Sequence, residues 1–418
     1  MTSNEELQTR IAELRDQYDD LLEAAAMTDV TQTLGDTATT IAGLPDQIAA
    51  LRGRGYAYAN YLEQKAETLN KQWEEVRQQI QKAIQQELVN AQNDVEALDR
   101  LWDELDNALA NVGNSDTQIS PTKGGMSLGA IIRQATSEKS SSQPSGAASA
   151  MKGALGQPSS AKEKAKASLQ ASLSAQPIET TTQQQLEDLV NQLENAVSRT
   201  KSVLDSAKER ITGLYGAVPN NVSQTLAQIR EIETYLERAE SATFEFLAGE
   251  DVYMVVKAEW KEKDDPDGYF YITSHRIVME QSEKKGGVLG FGGKKQQGLL
   301  WEAPLGSVEQ VTAEKKGLLG GIDLIHFQFG SGAPLGKTTI EVKGGINAEF
   351  FANKLRQAIR GDIEKERGLE RDQAVLEAIA DAPTTCPMCG ATFSQPITRG
   401  MTQLECTYCG AVVRLGAS

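Results

Sequence analysis

Apolar residues recur along this chain first at helical and then at strand spacing, and the change of period divides it. Leu7, Ile11, Leu14, Tyr18, Leu21 and Ala25 follow at alternating steps of four and three, the seam of a coiled-coil helix. The Thr-rich stretch 28–40, which contains Gly35, predicts an interruption. A second short helix is expected after Leu44, with Pro45 at its first position, where a missing N–H is harmless. The strongest helical pattern covers 56–112. Leu69, Trp73, Val76 and Ile80 keep heptad spacing, an additional four-residue step leads through Ile84 to Leu88, and Ala91, Val95, Leu98, Trp102, Leu105, Leu109 and Val112 resume the alternation. The extra step is a stutter, which locally unwinds a left-handed supercoil. At about 1.5 Å per residue this helix is roughly 80 Å long, so its seam needs partner helices. The seam resumes from Leu186 to Leu214, a turn with Pro219 as breaker is expected at 216–221, and a further helix at 222–247. These segments predict an elongated antiparallel bundle or a coiled-coil dimer, and the pattern does not choose between them.

From Glu250 the period falls to two. Seven strands are predicted, at 252–259, 269–273, 276–281, 299–303, 308–313, 323–329 and 338–342. The turn Asp264-Asp-Pro-Asp-Gly268 joins the first two, since Pro fixes φ and Gly accepts φ > 0. A helix capped by Asn347, with Phe351, Leu355 and Ile359 on one face, closes the unit. Seven strands and a C-terminal helix follow the order of a pleckstrin-homology (PH) barrel. The stretches Gly249-Glu-Asp-Val-Tyr253 and Gly268-Tyr-Phe-Tyr-Ile-Thr-Ser-His-Arg276-Ile-Val-Met279 resemble the GRAM/bacterial PH-like family, over about 110 of the 418 residues. The resemblance implies a non-enzymatic domain that binds phosphoinositides, other lipids or proteins.

Between the helical segments, 113–178 is rich in Ser, Ala, Gly, Gln and Lys and shows no hydrophobic period, so a disordered linker is expected. Met126–Ala135 and Lys162–Leu173 are the two pieces of it suited to folding on contact. After Asp362 an acidic helical linker leads to the cysteine-rich end.

Charge narrows the function classes. The chain carries 42 Lys+Arg against 58 Asp+Glu, a net charge of −16. Residues 1–112 are acidic, 248–360 are balanced and 113–178 are basic. An acidic chain argues against broad nucleic-acid binding, which needs a basic face. The N-terminus has no apolar signal region and no apolar run reaches the roughly 18 residues of a membrane span, so membrane contact is expected to be peripheral. All four cysteines lie in the last 33 residues, which leaves no disulfide framework elsewhere and predicts a reducing, cytoplasmic setting.

The sharpest chemical signal is Cys386-Pro-Met-Cys389-Gly, sixteen residues, then Cys406-Thr-Tyr-Cys409-Gly. Two CxxC knuckles bring four thiolates to tetrahedral reach of one Zn²⁺, with Gly390 and Gly410 allowing each knuckle to turn. This end resembles a zinc ribbon. A segment of that size has too little core to fold without the metal, and four protein ligands leave no open position for a catalytic water, so the zinc is read as structural.

The second signal is the loop 284–295, in which Lys284, Lys285, Lys294 and Lys295 flank a Gly-rich apolar tip containing Val288, Leu289 and Phe291. A shorter copy follows at Lys315-Lys316-Gly-Leu-Leu-Gly-Gly321. Lysines beside apolar tips suit a peripheral contact with anionic headgroups; ordinary solvated barrel loops are the competing reading. His275 and His326, the only two histidines, sit in no catalytic spacing. The acidic turn 264–267 lacks an EF-hand pattern, and no P-loop, GxSxG or HExxH motif occurs.

The sequence therefore predicts a multidomain α+β, non-enzymatic adaptor: coiled-coil helices (1–112), a linker (113–178), a helical hairpin (179–247), a seven-stranded PH/GRAM-like β-barrel with its helix (248–360), an acidic helical linker (361–385) and a zinc ribbon (386–418). Expected partners are anionic lipid headgroups, or a protein, at the lysine loops, and a protein or a second copy at the coiled coil. The alternatives are a protein-only scaffold and a ribbon-mediated nucleic-acid-associated protein.

Overall fold

A computed structural model describes residues 4–112, 127–137, 180–262, 264–285, 294–316, 321–331, 333–399, 401 and 403–415. Two compact units emerge, Met1–Ala42 with Thr68–Val222, and Gly43–Glu67 with Ser223–Ser418.

The first unit is helical. Its elements are α1 (Asn4–Ala26), the first half of α2 (Thr28–Gly53), most of α3 (Tyr61–Val112), α4 (Leu128–Ser137) and α5 (Thr180–Tyr215). The predicted seams are its core, with Leu7, Ile11, Leu14, Tyr18, Val95, Leu98, Trp102, Leu186, Val190 and Leu193 all buried. Val76 and Ile84, on either side of the stutter, are only half-buried. The partner helices come from the same chain. Arg10 of α1 bonds Glu194 of α5 at 2.8 Å and Lys208 of α5 pairs with Asp29 at the start of α2, so α1 and α5 run parallel. Glu87 and Asp94 of α3 meet Arg210 and Arg199 of α5, so α3 runs antiparallel to α5.

The expected interruption at 28–40 is absent. Helix α2 runs through it, and only Met27, at φ 45°, breaks α1 from α2. Thr33, Thr37, Thr39 and Thr40 donate their hydroxyls to carbonyls one turn back, which satisfies them inside a helix they otherwise disfavour. Pro45 lies within α2 rather than at the start of a new helix.

Within the linker, 127–137 is ordered against the bundle. Leu128 and Ile132 of α4 are fully buried. The Tyr18 hydroxyl accepts the Leu128 N–H at 2.9 Å and donates to Asp99 at 2.7 Å, and Asp99 also accepts the Gly129 N–H at 3.1 Å. Burial, then the Asp99 carboxylate, pushes the Tyr18 phenol well above its ordinary pKa. Residues 113–126 and 138–179, including Lys162–Leu173, lie outside the described residues.

The second unit is built on an antiparallel sheet of β1 (Val252–Trp260), β2 (Asp267–Thr273), β3 (Arg276–Lys285), β4 (Lys294–Pro304), β5 (Val308–Lys316), β6 (Ile322–Phe329) and β7 (Lys337–Val342), in the order β4-β3-β2-β1-β7-β6-β5. All seven predicted strands are present, as is the closing helix α7 (Ala348–Ile359), whose cap Asn347 accepts the Glu349 and Phe350 N–H groups. The expected closed barrel is not formed: β4 and β5 are the two edges of an open sheet. Side chains, not ladder bonds, draw the halves together. Phe270 of β2 lies 5.6 Å from Phe327 of β6, Trp301 of β4 lies 6.0 Å from Phe327, and Phe351 of α7 meets Phe270 at 5.8 Å. Gly268 serves differently from expectation. Asp264 and Asp265 take the positive φ values of the β1–β2 turn, whereas a Cβ on Gly268 would lie 1.8 Å from the Glu280 carbonyl oxygen. Glycine is needed there for the close approach of β3.

Helix α6 (Ala217–Glu240) begins directly after Gly216. Pro219 is therefore in its first turn, where a missing N–H is tolerated, and does not break the chain as expected. The turn between α2 and α3 is part of the sheet unit. Tyr56 donates to the Tyr253 carbonyl at 3.1 Å, the Gly368 N–H reaches the Ala57 carbonyl at 2.7 Å, and the Asn60 N–H reaches Glu366 at 2.9 Å. The stretch 361–385, predicted as an acidic helical linker, supplies a 3-10 turn (Asp362–Glu366) and α8 (Gln373–Ala380), and a two-stranded ribbon of β8 (Gln403–Glu405) and β9 (Val412–Arg414) follows. No described helix is long and apolar enough to cross a membrane.

Candidate functional site: a four-cysteine centre and a basic hairpin

Cys386, Cys389, Cys406 and Cys409 converge, with all sulfurs within 4.8 Å of one another. Two matching knuckles place them. In each, the glycine after the second cysteine takes φ 73° and donates its N–H to the carbonyl of the first cysteine at 2.8 Å. The N–H groups of Cys409 and Tyr408 lower the Cys406 thiol to about 7. Against the lowering pull of the Ala391 N–H, the Cys409 thiol raises Cys389 to about 12. A tetrahedron with metal–sulfur bonds of about 2.3 Å has edges of roughly 3.8 Å; the Cys386–Cys409 and Cys389–Cys406 sulfur pairs are each 3.7 Å apart. The donor set thus fits a tetrahedral thiolate-bound metal, with all four positions supplied by protein.

The cysteine module is docked on the sheet unit. Leu247 and Thr398 form an antiparallel bridge, the Ala248 N–H donates to Ile397 at 2.9 Å and the Arg399 N–H to Phe246 at 2.7 Å. The Arg399 guanidinium donates to the Glu250 carbonyl and lies 5.4 Å from the Phe246 ring. Sequence reasoning missed this contact, because residues 149 apart in the chain carry no shared spacing.

Glu250 and Arg276, quoted above only as parts of motifs, form the polar centre of the same region. Glu250 is fully buried and accepts from Arg276, Thr273 and the Leu247 N–H. Arg276 also holds the Glu245 carbonyl and Glu302. Thr273 accepts the His275 and Arg276 N–H groups, which shapes the β2–β3 turn. The Thr-x-x-Arg pattern is therefore a clasp that fixes residues 245–250 to the sheet. Buried Glu280 does the same for Thr243, taking its N–H at 2.6 Å and its hydroxyl at 2.7 Å.

Both histidines bond neighbours of ordinary kind, His275 to Ser274 and His326 to Thr339 and Glu314.

The lysines of the first loop extend β3 and β4. Lys284 stands directly opposite Lys295, and Lys285 opposite Lys294. Lys284 and Lys295 are exposed, and neither has an ion pair among the described residues. Like charges in facing positions oppose strand pairing. Lys343 behaves differently: it pairs with Glu259 and Glu341 at 2.8 Å each. Val288, Leu289 and Phe291, at the tip, lie outside the described residues, as do Leu318 and Leu319. Lys315 and Lys316 end β5, and Lys315 faces Asp323 of β6. Since β3 runs with β1 and β5 against it, the two lysine loops leave opposite ends of the strands. The structure does not bring them together.

No protein-family model matches the chain, and no curated protein matches it. Among solved structures, the DH/PH domains of p115-RhoGEF align over 86% of this chain and 94% of that one, at 9% identity and a TM-score of 0.17. A superposition that loose carries no argument about function.

Proposed function

We infer that this chain is a non-enzymatic adaptor. Besides an intrachain helical bundle it carries a PH/GRAM-like sheet unit that binds an anionic lipid surface, and a structural Zn²⁺ held by Cys386, Cys389, Cys406 and Cys409 stabilises the docked ribbon. The observation that carries the membrane reading is the facing of Lys284 with Lys295 and of Lys285 with Lys294. A hairpin that sets Lys284 opposite Lys295 is stabilised when anionic headgroups lie against it, at about 1 kcal/mol per lysine near the surface. The Gly-rich apolar sequence between the strands suits insertion at the interface. Zinc is favoured by four thiolates at tetrahedral spacing with no open position. The chemistry is that of a cytoplasmic protein recruited peripherally to membranes.

The test is co-sedimentation with neutral and with anionic vesicles, comparing the native chain with one in which Lys284, Lys285, Lys294 and Lys295 are all Glu. Salt-sensitive pelleting of the native chain with anionic vesicles, lost in the variant, is expected. A native chain that stays in solution with both vesicle types sinks the membrane reading and leaves a protein-binding scaffold.

A further inference from the structure

A cleft of about 330 Å³ opens where the turn after α2, the start of β1, the segment before α8 and the cysteine module meet. That volume lies at the small end of ligand sites. Small residues such as Ala57 and Gly249 line part of it, Leu369 and Leu376 give it an apolar side, and six charged residues surround these. Four of the six already have partners: Arg367 bonds Asp251 at 3.0 Å, Arg371 bonds Glu364 at 3.0 Å, and Asp372 has its own interaction within the chain. The other two differ. Arg399 donates only to a backbone carbonyl and rests on a phenyl ring, with no carboxylate partner among the described residues. Glu370 has no hydrogen bond or ion pair among the described residues.

A guanidinium with no carboxylate partner and a carboxylate with no cation among the described residues, beside an apolar wall in a small cleft, suit a ligand with the complementary three parts. We propose that this cleft binds a small zwitterion with an apolar body, an α-amino acid with a branched aliphatic side chain. Arg399 takes its carboxylate, Glu370 its ammonium group, and Leu369 and Leu376 its side chain. A guanidinium recognises a carboxylate through two parallel N–H donors, and Arg399 has five N–H groups to share between the Glu250 carbonyl and a ligand. Because Arg399 reaches the cleft from the loop of the docked cysteine module, the site depends on that module being folded. The assignment is independent of the membrane reading.

Titration calorimetry of the zinc-loaded full chain with L-leucine is expected to show saturable one-site binding. 4-Methylpentanoate, which lacks the ammonium group, and 3-methylbutylamine, which lacks the carboxylate, should each bind roughly tenfold or more weakly. Glu370→Gln should lower leucine affinity toward that of 4-methylpentanoate while leaving 4-methylpentanoate unchanged. Arg399→Gln should act in the converse sense, with Co²⁺–thiolate absorption verifying that the four cysteines still form their centre. The absence of saturable leucine binding, equal binding of the three compounds, or leucine affinity indifferent to the exposed Glu370→Gln change overturns the proposal.

Discussion

The Arg276 guanidinium lies fork to fork on the Glu250 carboxylate, with Nε to Oε1 and Nη2 to Oε2 both at 3.0 Å. The Glu250 side chain is 0% exposed and that of Arg276 9%. At that depth a lone charge is far costlier than the pair. Glu250→Leu or Arg276→Met alone should destabilise the sheet unit by about 3–5 kcal/mol. The double variant should fall short of the sum by about 2 kcal/mol or more, the coupling expected of residues in direct contact. Urea titrations of the four proteins measure this, and strict additivity would show that the two residues act separately.

The lysine hairpin makes an opposite kind of prediction, in which stability and binding diverge. Lys284→Glu sets a carboxylate opposite Lys295 and replaces repulsion by attraction. The sheet unit should gain about 0.2–1 kcal/mol while affinity for anionic vesicles declines. A loss of stability in thermal melts of this variant would mean that the facing lysines were never a strain on the hairpin.

Much of this was legible in the sequence, where the signal was local. The helical seams, the seven strands, the Asn347 cap and the four cysteines all follow from spacing within one element. The seam of α2 was legible too, through Val30, Leu34, Ile41, Leu44, Ile48 and Leu51, but Thr37 occupies one of its buried positions and the threonines around it read as a breaker. That the sheet stays open, with β4 and β5 as unpaired edges, was not legible, because whether two edge strands meet depends on how the strands curve. The Glu250–Arg276 clasp and the Arg399 contact join residues far apart in sequence, where no period reports on a partner. Strand direction likewise separated two lysine loops that their similar sequences had grouped.

Metal removal should be felt beyond the ribbon. The loop between the two knuckles carries residues 397–399, which pair with 246–248, and the small module has little core of its own to hold that loop. Chelation should therefore speed hydrogen exchange not only at Cys386–Cys409 but also at the Ala248 and Arg399 amides, with full protection restored by Zn²⁺. Cys386→Ser combined with Cys406→Ser should reproduce the chelated pattern without chelator. Exchange changes confined to the ribbon strands β8 and β9 would show that docking does not require the metal.

Acid should loosen the helical unit through Glu87. Its hydrogen bonds to Arg210, at 2.8 and 2.6 Å, hold the Glu87 carboxyl below the ordinary glutamate value of 4.5. A carboxyl whose folded pKa is depressed binds fewer protons in the folded state than in the unfolded one, so stability rises with pH across the interval between the two values. The stabilisation is fully present above about 4.5 and is lost as pH falls through the lower folded value. Glu87→Gln abolishes the titration, so its melting temperature should fall less steeply than that of the native chain below pH 4.5. At pH 7 the variant should be only slightly less stable, since the Arg210 partner is exposed and water screens the pair. Melting curves from pH 7 to pH 3 decide it. Parallel acid slopes for the two proteins would place the titration that matters at another of the unit's carboxylates, of which Asp29, lowered by Lys208, is the next to replace.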